Sequence, residues 1–306
     1  MLVRMQSQNR IGPVKCFSLK HTFESAQPLT FYADFDSAAH TLIYSDKGIP
    51  ITVRQDSSDM QTNLIVDSIE PTHAVKEVSA RFRLNDNMDA IYKKINTDRH
   101  MEASINAYRG MRLTLNDPWE TTLCFIISQF NNVKRIRLIT RNIIHKFGEQ
   151  KEYQKFGKVF SFPTSERLMH ASEAELMGCG TGFRAKYIIA AASYCTENLD
   201  LNKLRGKSYD KIKSELLEIA GVGDKVADCI ALMGYGSLRA FPIDTWIQRT
   251  MEKLYFNGMK TSPAKIHEFA DDYWGRYAGY AQQYLFHNAR SSRPKARIAA
   301  KAAAQT

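Results

Sequence analysis

One lysine stands where a side-chain amine could act as a nucleophile. Lys225 follows the turn of Gly221, Val222 and Gly223 by two residues, at the start of a helical pattern. Because the N-terminus of a helix disfavours positive charge, an ordinary lysine gains nothing from this position. Lys225 is therefore either a solvated or phosphate-binding side chain, or an amine that attacks an electrophilic carbon in its neutral form.

A carboxylate further along the chain could complete this chemistry. Asp244 lies in FPIDTW (241–246), two residues after Pro242 and at the start of another helical pattern. Aspartate is common as the N-cap of a helix, so a capping role is the simplest interpretation. A lysine and a carboxylate on opposite sides of one cleft can also act together. The amine can attack an anomeric carbon while the carboxylate stabilises the cationic sugar.

The elements that must position Lys225 form a predicted helical hairpin at residues 208–236. Two helical patterns are joined there by AGVG, residues 220–223. The glycines permit a tight turn and leave backbone N–H groups uncovered beside a helix start, which suits a phosphate. Lys225 and Cys229 are one turn apart, so they project to the same side of the second helix.

The period of the sequence changes near residue 84. Residues 1–83 contain short β-rich runs in which apolar and polar residues alternate, which predicts an antiparallel sheet. These runs lie at 28–35, 40–45, 50–56 and 63–69. Residues 84–290 have helical patterns instead, and the basic, alanine-rich tail at 291–306 is expected to be disordered. We therefore predict an α+β fold with an N-terminal antiparallel β-rich domain, a long helical region and a loose tail.

Helix start signals are strong within the second region. In NDPWETT (116–122) we expect Asp117 to cap a helix, Pro118 to take its first position and Glu120 to close a capping box. Ser172 and Glu175 indicate the start of another helix.

The charge balance favours a polyanionic partner. The chain has 42 Lys and Arg against 32 Asp and Glu, a net charge of +10, which fits either nucleic-acid binding or a solvated basic surface. None of the five cysteines forms a C-x-x-C pair, so neither a zinc ribbon nor an iron–sulfur loop is indicated. We find no apolar run long enough for a membrane span. We expect a monomer, in the cytoplasm of a prokaryote or in the nucleus of a eukaryote.

The hairpin, the lysine and the downstream Pro-x-Asp together resemble the HhH-GPD superfamily of DNA glycosylases. Within it, roughly residues 16–290 resemble the 8-oxoguanine DNA glycosylase/AP lyases. The matching segments are FRLNDNMDAIYKKI, YRGMRLTLNDPWE, SQFNNVKRI, GFRAKYI, LLEIAGVGDKVADCIALM, FPIDTWIQR and YAGYAQQYLF. The resemblance implies two helical subdomains behind the N-terminal sheet.

The resemblance also implies an activity and a base pocket. Lys225 would displace 8-oxoguanine at C1′, form an imine with the opened sugar and cleave the strand by β-elimination, with Asp244 as its partner. The extruded base would be read at its pairing edge by Gln282 and stacked between Phe286 and Cys229. From the residues alone, the simpler interpretation is that Gln282 is a surface amide beside the core aromatic Phe286, and that Cys229 is a small buried hydrophobe.

Further positions of the resemblance contact DNA outside the pocket. Arg135 and Arg184 match residues that contact the opposite base, although each could equally form a phosphate contact or a salt bridge. The other implied contacts are gap filling by Phe130, Asn131 and Asn132, DNA-backbone binding by Gly221, Val222, Gly223 and Trp246, and a monovalent cation held by the backbone carbonyls of Leu217, Ile219 and Val222. No other cofactor and no iron–sulfur cluster are implied. The implied partner is double-stranded DNA with 8-oxoguanine opposite cytosine.

Three positions depart from the family pattern. Phe130 stands where the gap-filling segment begins with asparagine; it can fill a vacated stack but cannot hydrogen-bond cytosine. Trp246 replaces a histidine near the target phosphate. In SAQ (25–27), Ala26 replaces a glycine whose carbonyl accepts the N7–H of 8-oxoguanine. The carbonyl is kept, but a side chain restricts how closely a base can approach.

Two other functions stay open from the sequence. One is a glycosylase of the same superfamily for oxidised pyrimidines or alkylated purines. The pyrimidine enzymes carry a four-cysteine cluster that this chain lacks, and the alkyl-base enzymes lack the lysine that stands here as Lys225. The other is a non-catalytic helix–hairpin–helix protein that only binds DNA, which leaves Asp244 and the pocket residues unexplained.

Overall fold

A five-stranded antiparallel sheet forms the first part of the chain. The computed structural model describes residues 9–58 and 61–291. The elements of this part are β1 (Asn9–Val14), α1 (Leu19–Glu24), α2 (Pro28–Tyr32), β2 (Asp34–Asp36), β3 (Thr41–Asp46), β4 (Ile49–Ser58), β5 (Gln61–Ser68) and α3 (Pro71–Arg81). The strand order is β1-β5-β4-β3-β2, and each neighbouring pair is antiparallel.

Alternation along the strands builds the core of this part. Leu42 and Tyr44 of β3 are buried, whereas Ile43 between them is exposed, as a sheet with one covered face requires. Ile51 and Val53 of β4 continue the buried face. The sheet packs on α3 and on the segment formed by α1 and α2. This α1–α2 segment forms one wall of the cavity described below.

The predicted strand at residues 28–35 is wrong in its first half. Pro28 opens the short helix α2, and only Asp34–Asp36 is extended. Four consecutive residues of α2, from Pro28 to Phe31, are buried. A short run buried on all sides has no period that separates a strand from a helix. Two further pieces of sheet were not predicted: strand β1, and the hairpin of β6 (Gln150–Tyr153) and β7 (Gly157–Phe160).

Apart from the β6–β7 hairpin, the described residues after α3 are mainly helical, as predicted. The helices are α4 (Met88–Ile95), α5 (Arg99–Ala107), α6 (Pro118–Ser128), α7 (Val133–Phe147), α8 (Ser165–Met169), α9 (Glu173–Gly178), α10 (Ala185–Glu197), α11 (Tyr209–Leu217), α12 (Asp224–Gly234), α13 (Thr245–Tyr255), α14 (Pro263–Trp274) and α15 (Ala278–Ser291). Every residue of α12 from Val226 onward is buried. Helix α12 packs against α6 and α11 and is the central helix around which the site is built.

The capping signals were correct except for Glu120. Asp117 caps α6 and Pro118 takes its first position, and Ser172 and Glu175 form a capping box. Glu120 does not close a box: it is buried, accepts a hydrogen bond from Tyr32 Oη (3.1 Å) and lies 3.7 Å from the Arg81 guanidinium. Burial raises the pKa of Glu120 to about 8 against the opposing charge of Arg81. The side chain therefore joins α2 and α3 to α6 instead of capping its own helix.

The apolar core divides into two clusters along the chain. One contains residues between Val14 and Phe82, and the larger one consists, apart from Phe31, of residues from Met88 onward. The domain boundary after residue 83 stays our interpretation. The predicted tail lies, except for Ser291, outside the described residues. Among the described helices, none combines the length and the apolarity that crossing a membrane would need.

Candidate active site

The turn between α11 and α12 has the geometry of a tight helical hairpin. Gly221 adopts a φ of +84°, and a Cβ at this position would lie 2.9 Å from Cβ of Tyr187. Only glycine fits both constraints. Gly223 is the N-cap of α12, with open space where its side chain would be. The first N–H groups of α12 therefore lie beside a surface that a large anionic ligand can approach.

Lys225 lies in the first turn of α12 and is half-buried. Its Nζ is 5.2 Å from the centroid of the Phe125 ring, which α6 contributes. One turn further along, Cys229 is buried, and burial raises the pKa of its thiol to about 12 although Lys225 lowers it. The thiol is therefore protonated near neutral pH, and the amine of Lys225 is the nucleophile that α12 offers.

Asp244 caps α13 and faces the same space. Its Oδ1 accepts hydrogen bonds from the backbone N–H groups of Trp246 (3.0 Å) and Ile247 (2.8 Å). Because both bonds go to one oxygen, the cap leaves Oδ2 available to a ligand. The capping role and a role in chemistry are therefore compatible. Trp246 is half-buried in the first turn of α13.

All six residues assigned to catalysis or to the base pocket line one cavity. They are Ala26, Lys225, Cys229, Asp244, Gln282 and Phe286, and the cavity is completed by Phe125, Met233, Pro242 and Gln283. Its volume is about 50 Å³, which holds one or two waters. Larger surface clefts contain none of the six. A base would have to displace side chains to enter, and Phe286 is only half-buried.

Helix α15 contributes a buried polar wall. Gln282 is 5% exposed, so the interpretation as a surface amide is wrong. Its Nε2 donates to the carbonyl of Pro242 (3.0 Å), while its Oε1 is buried without a hydrogen-bond partner. A buried unpaired acceptor is costly. A ligand with N–H donors would satisfy it.

The opposite wall is the α1–α2 segment, which holds Ala26 in a strained conformation. Ala26 has a φ of +61°, in the left-handed region that favours glycine. Two side chains from α15 hold the preceding carbonyls: Gln283 Nε2 donates to Ser25 O (2.8 Å), and Arg290 donates to Glu24 O. Strain of this kind persists only where the surroundings fix it.

Gln283 was missed in the sequence. It stands beside Gln282, and neighbouring residues on a helix point about 100° apart. Nothing in the pattern therefore indicated that both side chains face the interior. The burial of α15 on nearly every side explains it: every residue from Ala278 to Leu285 is buried.

Two family models match the chain in succession. Residues 11–122 match "8-oxoguanine DNA glycosylase, N-terminal domain", and residues 123–276 match "HhH-GPD superfamily base excision DNA repair protein". The "Probable N-glycosylase/DNA lyase" of Methanothermobacter thermautotrophicus is 30% identical over 272 residues, 82% of this chain and 86% of that protein. The "N-glycosylase/DNA lyase" of Saccharomyces cerevisiae is 32% identical over 212 residues, 58% of this chain and 56% of that protein.

A solved structure extends the match to the fold. Clostridium acetobutylicum 8-oxoguanine glycosylase/lyase, in complex with double-stranded DNA containing cytosine opposite 8-oxoguanine, superposes with a TM-score of 0.82 at 28% identity, over 94% of this chain and 98% of that one. The chain belongs to the 8-oxoguanine DNA glycosylase family of the HhH-GPD superfamily. The resemblance and the α+β fold class predicted from the sequence are confirmed.

In this 8-oxoguanine glycosylase family member, the residues assigned to the opposite strand lie together beside the hairpin. Phe130 is 95% exposed, with a φ of +47°, and Phe183, which the sequence interpretation missed, is 53% exposed. Arg135 is exposed, whereas Arg184 is buried. Their roles toward DNA, and those of Asn131 and Asn132, stay predictions.

The carbonyls assigned to a monovalent cation lie at the C-terminal end of α11 and in the turn that follows. This helix ends at Leu217, and the Ile219 carbonyl accepts a hydrogen bond from the N–H of Val222 (2.9 Å). Carbonyls at a helix C-terminus carry partial negative charge, and each has a second lone pair, so the donor set fits a cation. In the described part of the chain, no group of three or more His, Cys, Asp or Glu side chains could hold a metal ion.

Proposed function

We propose that this protein extrudes 8-oxoguanine from double-stranded DNA, releases the base and cleaves the strand, as a bifunctional N-glycosylase/AP lyase. The observation that carries the proposal is the single cavity lined by Lys225, Asp244, Gln282 and Phe286. The relatives named N-glycosylase/DNA lyase and the Clostridium enzyme bound to 8-oxoguanine opposite cytosine support it.

In the proposed reaction the neutral amine of Lys225 attacks C1′ of the extruded nucleotide. The bond from C1′ to the base breaks, and the base leaves with the electron pair and takes up a proton. The sugar ring then opens, which gives an imine between C1′ and Lys225. Loss of a proton from C2′ breaks the bond from C3′ to its oxygen, and the departure of the 3′ phosphate cleaves the strand.

The surrounding contacts prepare Lys225 and Asp244 for this chemistry. Asp244 would stabilise the positive charge that develops on the sugar, and the two backbone N–H groups at the start of α13 already fix one of its oxygens. While Lys225 is protonated, its contact with the Phe125 ring holds the amine in the cavity. Little reorganisation is then needed when the base leaves.

Recognition of the base would come from two acceptors on opposite walls. Gln282 Oε1 is buried and unpaired, so it can accept from the pairing edge of the base. Unlike guanine, 8-oxoguanine carries an N7–H, which the Ala26 carbonyl would accept. Gln283 and Arg290 hold the carbonyls just before Ala26, and therefore fix the position of that acceptor.

The hairpin would hold the DNA backbone beside the lesion. The N–H groups at the start of α12 face a phosphate, and a monovalent cation on the carbonyls of Leu217, Ile219 and Val222 would neutralise another. Trp246 would pack or stack near the target phosphate. With a net charge of +10, binding should weaken steeply as salt is raised.

Replacing Gln283 by methionine is expected to separate base recognition from strand cleavage. The substitution keeps the side-chain size but removes the hydrogen bond to Ser25 O, which should lower the excision rate of 8-oxoguanine by about tenfold. Cleavage of a preformed abasic site should stay within about twofold, because that substrate has no base to recognise. Single-turnover rates on both duplexes measure this. Equal losses on both would mean that Gln283 only stabilises the fold.

A panel of duplexes tests the substrate class. Each would carry 8-oxoguanine, an oxidised pyrimidine, an alkylated purine or guanine, opposite the ordinary partner base. We expect 8-oxoguanine to be released at least about a hundredfold faster than the others. Faster release of another base would favour a different glycosylase of this superfamily. Binding without release or strand cleavage on every duplex would favour the DNA-binding protein without catalysis.

A further inference from the structure

We infer that this enzyme excises 8-oxoguanine with little regard for the base on the opposite strand, because Arg135 is the one assigned arginine whose guanidinium is not bound to the Phe130 loop. The inference rests on the proposed function. Five side chains were assigned to the opposite strand: Phe130, Asn131, Asn132, Arg135 and Arg184. The structure shows which of them are bound within the protein and which are exposed.

Phe130 offers stacking and no hydrogen bond. It is 95% exposed, and a φ of +47° is unfavourable for a bulky residue. An exposed aromatic in a strained conformation is a feature of binding sites more than of folding. Apolar side chains of this kind insert between bases, and stacking on them tolerates every base because each has a π face.

The loop that carries Phe130 is fixed to the catalytic hairpin. Gln129 Nε2 donates to the carbonyl of Gly221 (2.8 Å). Since Gly221 belongs to the turn before Lys225, this bond fixes the loop that carries Phe130 relative to the turn that precedes the amine. A direct hydrogen bond therefore joins the loop that would enter the base stack to the turn that precedes the nucleophile.

Arg184 uses its donors on this loop. It is 3% exposed. Its Nε and Nη2 donate to Gln129 O, Nη2 also donates to Phe130 O (3.2 Å), and Nη1 donates to Thr181 O (3.1 Å). These bonds take four of its five N–H groups, so a bidentate contact with a base is no longer available. Arg184 positions Phe130.

The amide oxygens of the two asparagines are also engaged within the protein. Asn131 Nδ2 donates to Ile127 O (3.0 Å), and its Oδ1 accepts from the N–H of Asn132. Asn132 caps α7 by accepting from the N–H of Arg135 (3.0 Å). Arg135 itself is exposed, and it lies near enough to Arg184 to lower that residue's pKa, after burial as the larger cause.

One exposed arginine gives modest selectivity. A bidentate base contact discriminates by about 5- to 150-fold, and an exposed arginine falls at the low end of that range because solvent screens its charge, so we expect a preference for cytosine of about tenfold; several independent contacts would multiply. We therefore expect single-turnover rates on 8-oxoguanine opposite cytosine, thymine, guanine and adenine to lie within about tenfold of one another. A preference for cytosine of about a thousandfold would overturn the inference.

Three variants identify the residues responsible. Arg135→Gln should lower the excision rate opposite cytosine to the rates measured opposite thymine, guanine and adenine. Arg184→Lys should lower all four rates in parallel, because it loosens the Phe130 loop; selective loss opposite cytosine would show that Arg184 reads the base. Phe130→Asn suits the left-handed φ and supplies a polar group, so it should increase the preference for cytosine. An unchanged preference would contradict the role given to Phe130.

Binding keeps this test separate from the test of catalysis. Dissociation constants are measured for duplexes with a tetrahydrofuran abasic analogue opposite each of the four bases, which requires no excision. Constants within about tenfold support the inference even where no base is released, and a strong preference for cytosine overturns it. Absence of 8-oxoguanine release from every duplex would instead contradict the proposed function.

Discussion

Replacing Lys225 by glutamine is expected to abolish both base release and strand cleavage, with a loss of at least about 10⁴-fold in the single-turnover rate. An amide nitrogen is not nucleophilic and cannot form an imine, and the other groups of the cavity do not replace it. The buried thiol of Cys229, with a pKa of about 12, stays protonated. The rates are measured on a duplex with 8-oxoguanine opposite cytosine, with base release and strand cleavage followed separately.

Lys253→Gln is the matched control for this variant. Lys253 is exposed near the far end of α13, about 14 Å along that helix from Asp244, so the substitution removes the same charge without touching the cavity. Its rate should stay within about twofold of the unmodified protein, since exposed charges contribute little. If Lys225→Gln released 8-oxoguanine at the normal rate, the assignment of the nucleophile would be wrong.

Replacing Asp244 by asparagine is expected to lower the rate of base release by about 10²–10³-fold while the fold is kept. Asparagine is as good an N-cap as aspartate, so its Oδ1 can still accept from the N–H groups of Trp246 and Ile247. What is lost is the negative charge that would stabilise the cationic sugar. DNA binding should be unchanged or tighter, because a negative charge beside the phosphates is removed.

Asp117→Asn provides a control with the same geometry at another helix. Asp117 Oδ1 accepts from the N–H groups of Trp119 (2.8 Å) and Glu120 (3.2 Å) at the start of α6, as Asp244 does for α13. The control should keep nearly full activity, and both variants should unfold at nearly the same temperature as the parent. Equal activity losses in both variants would mean that Asp244 acts only as the N-cap of α13.

The pocket could be predicted where its residues share a helix. Lys225 and Cys229 lie one turn apart on α12, as Gln282 and Phe286 do on α15, and this spacing indicated common faces. The convergence of these helices on one cavity depends on long-range packing, and residue spacing within one helix does not indicate how that helix packs against others. Phe125 illustrates the limit: it stands in the apolar run TLCFII of α6, where every residue is buried and no pattern marks the one that faces Lys225.

The polar residues beside the hairpin were harder to interpret. The types of Asn132 and Arg184 indicate donors and acceptors but not their partners. In the structure these partners are backbone groups of the neighbouring loop and helix. The fold shows the same limit. Glu120 had the spacing of a capping box, yet its side chain binds the hydroxyl of Tyr32 on α2 and lies beside the buried charge of Arg81 on α3.

The central claim is that the Lys225 amine becomes covalently joined to the sugar, and borohydride trapping tests it most directly. The protein is incubated with a duplex carrying one 8-oxoguanine opposite cytosine in the presence of borohydride, which reduces an imine to a stable amine. Peptide mapping then locates the attached sugar. We predict one adduct, on Lys225, that is absent in Lys225→Gln. Base release and strand cleavage without an adduct, or an adduct on another amine, would contradict the account.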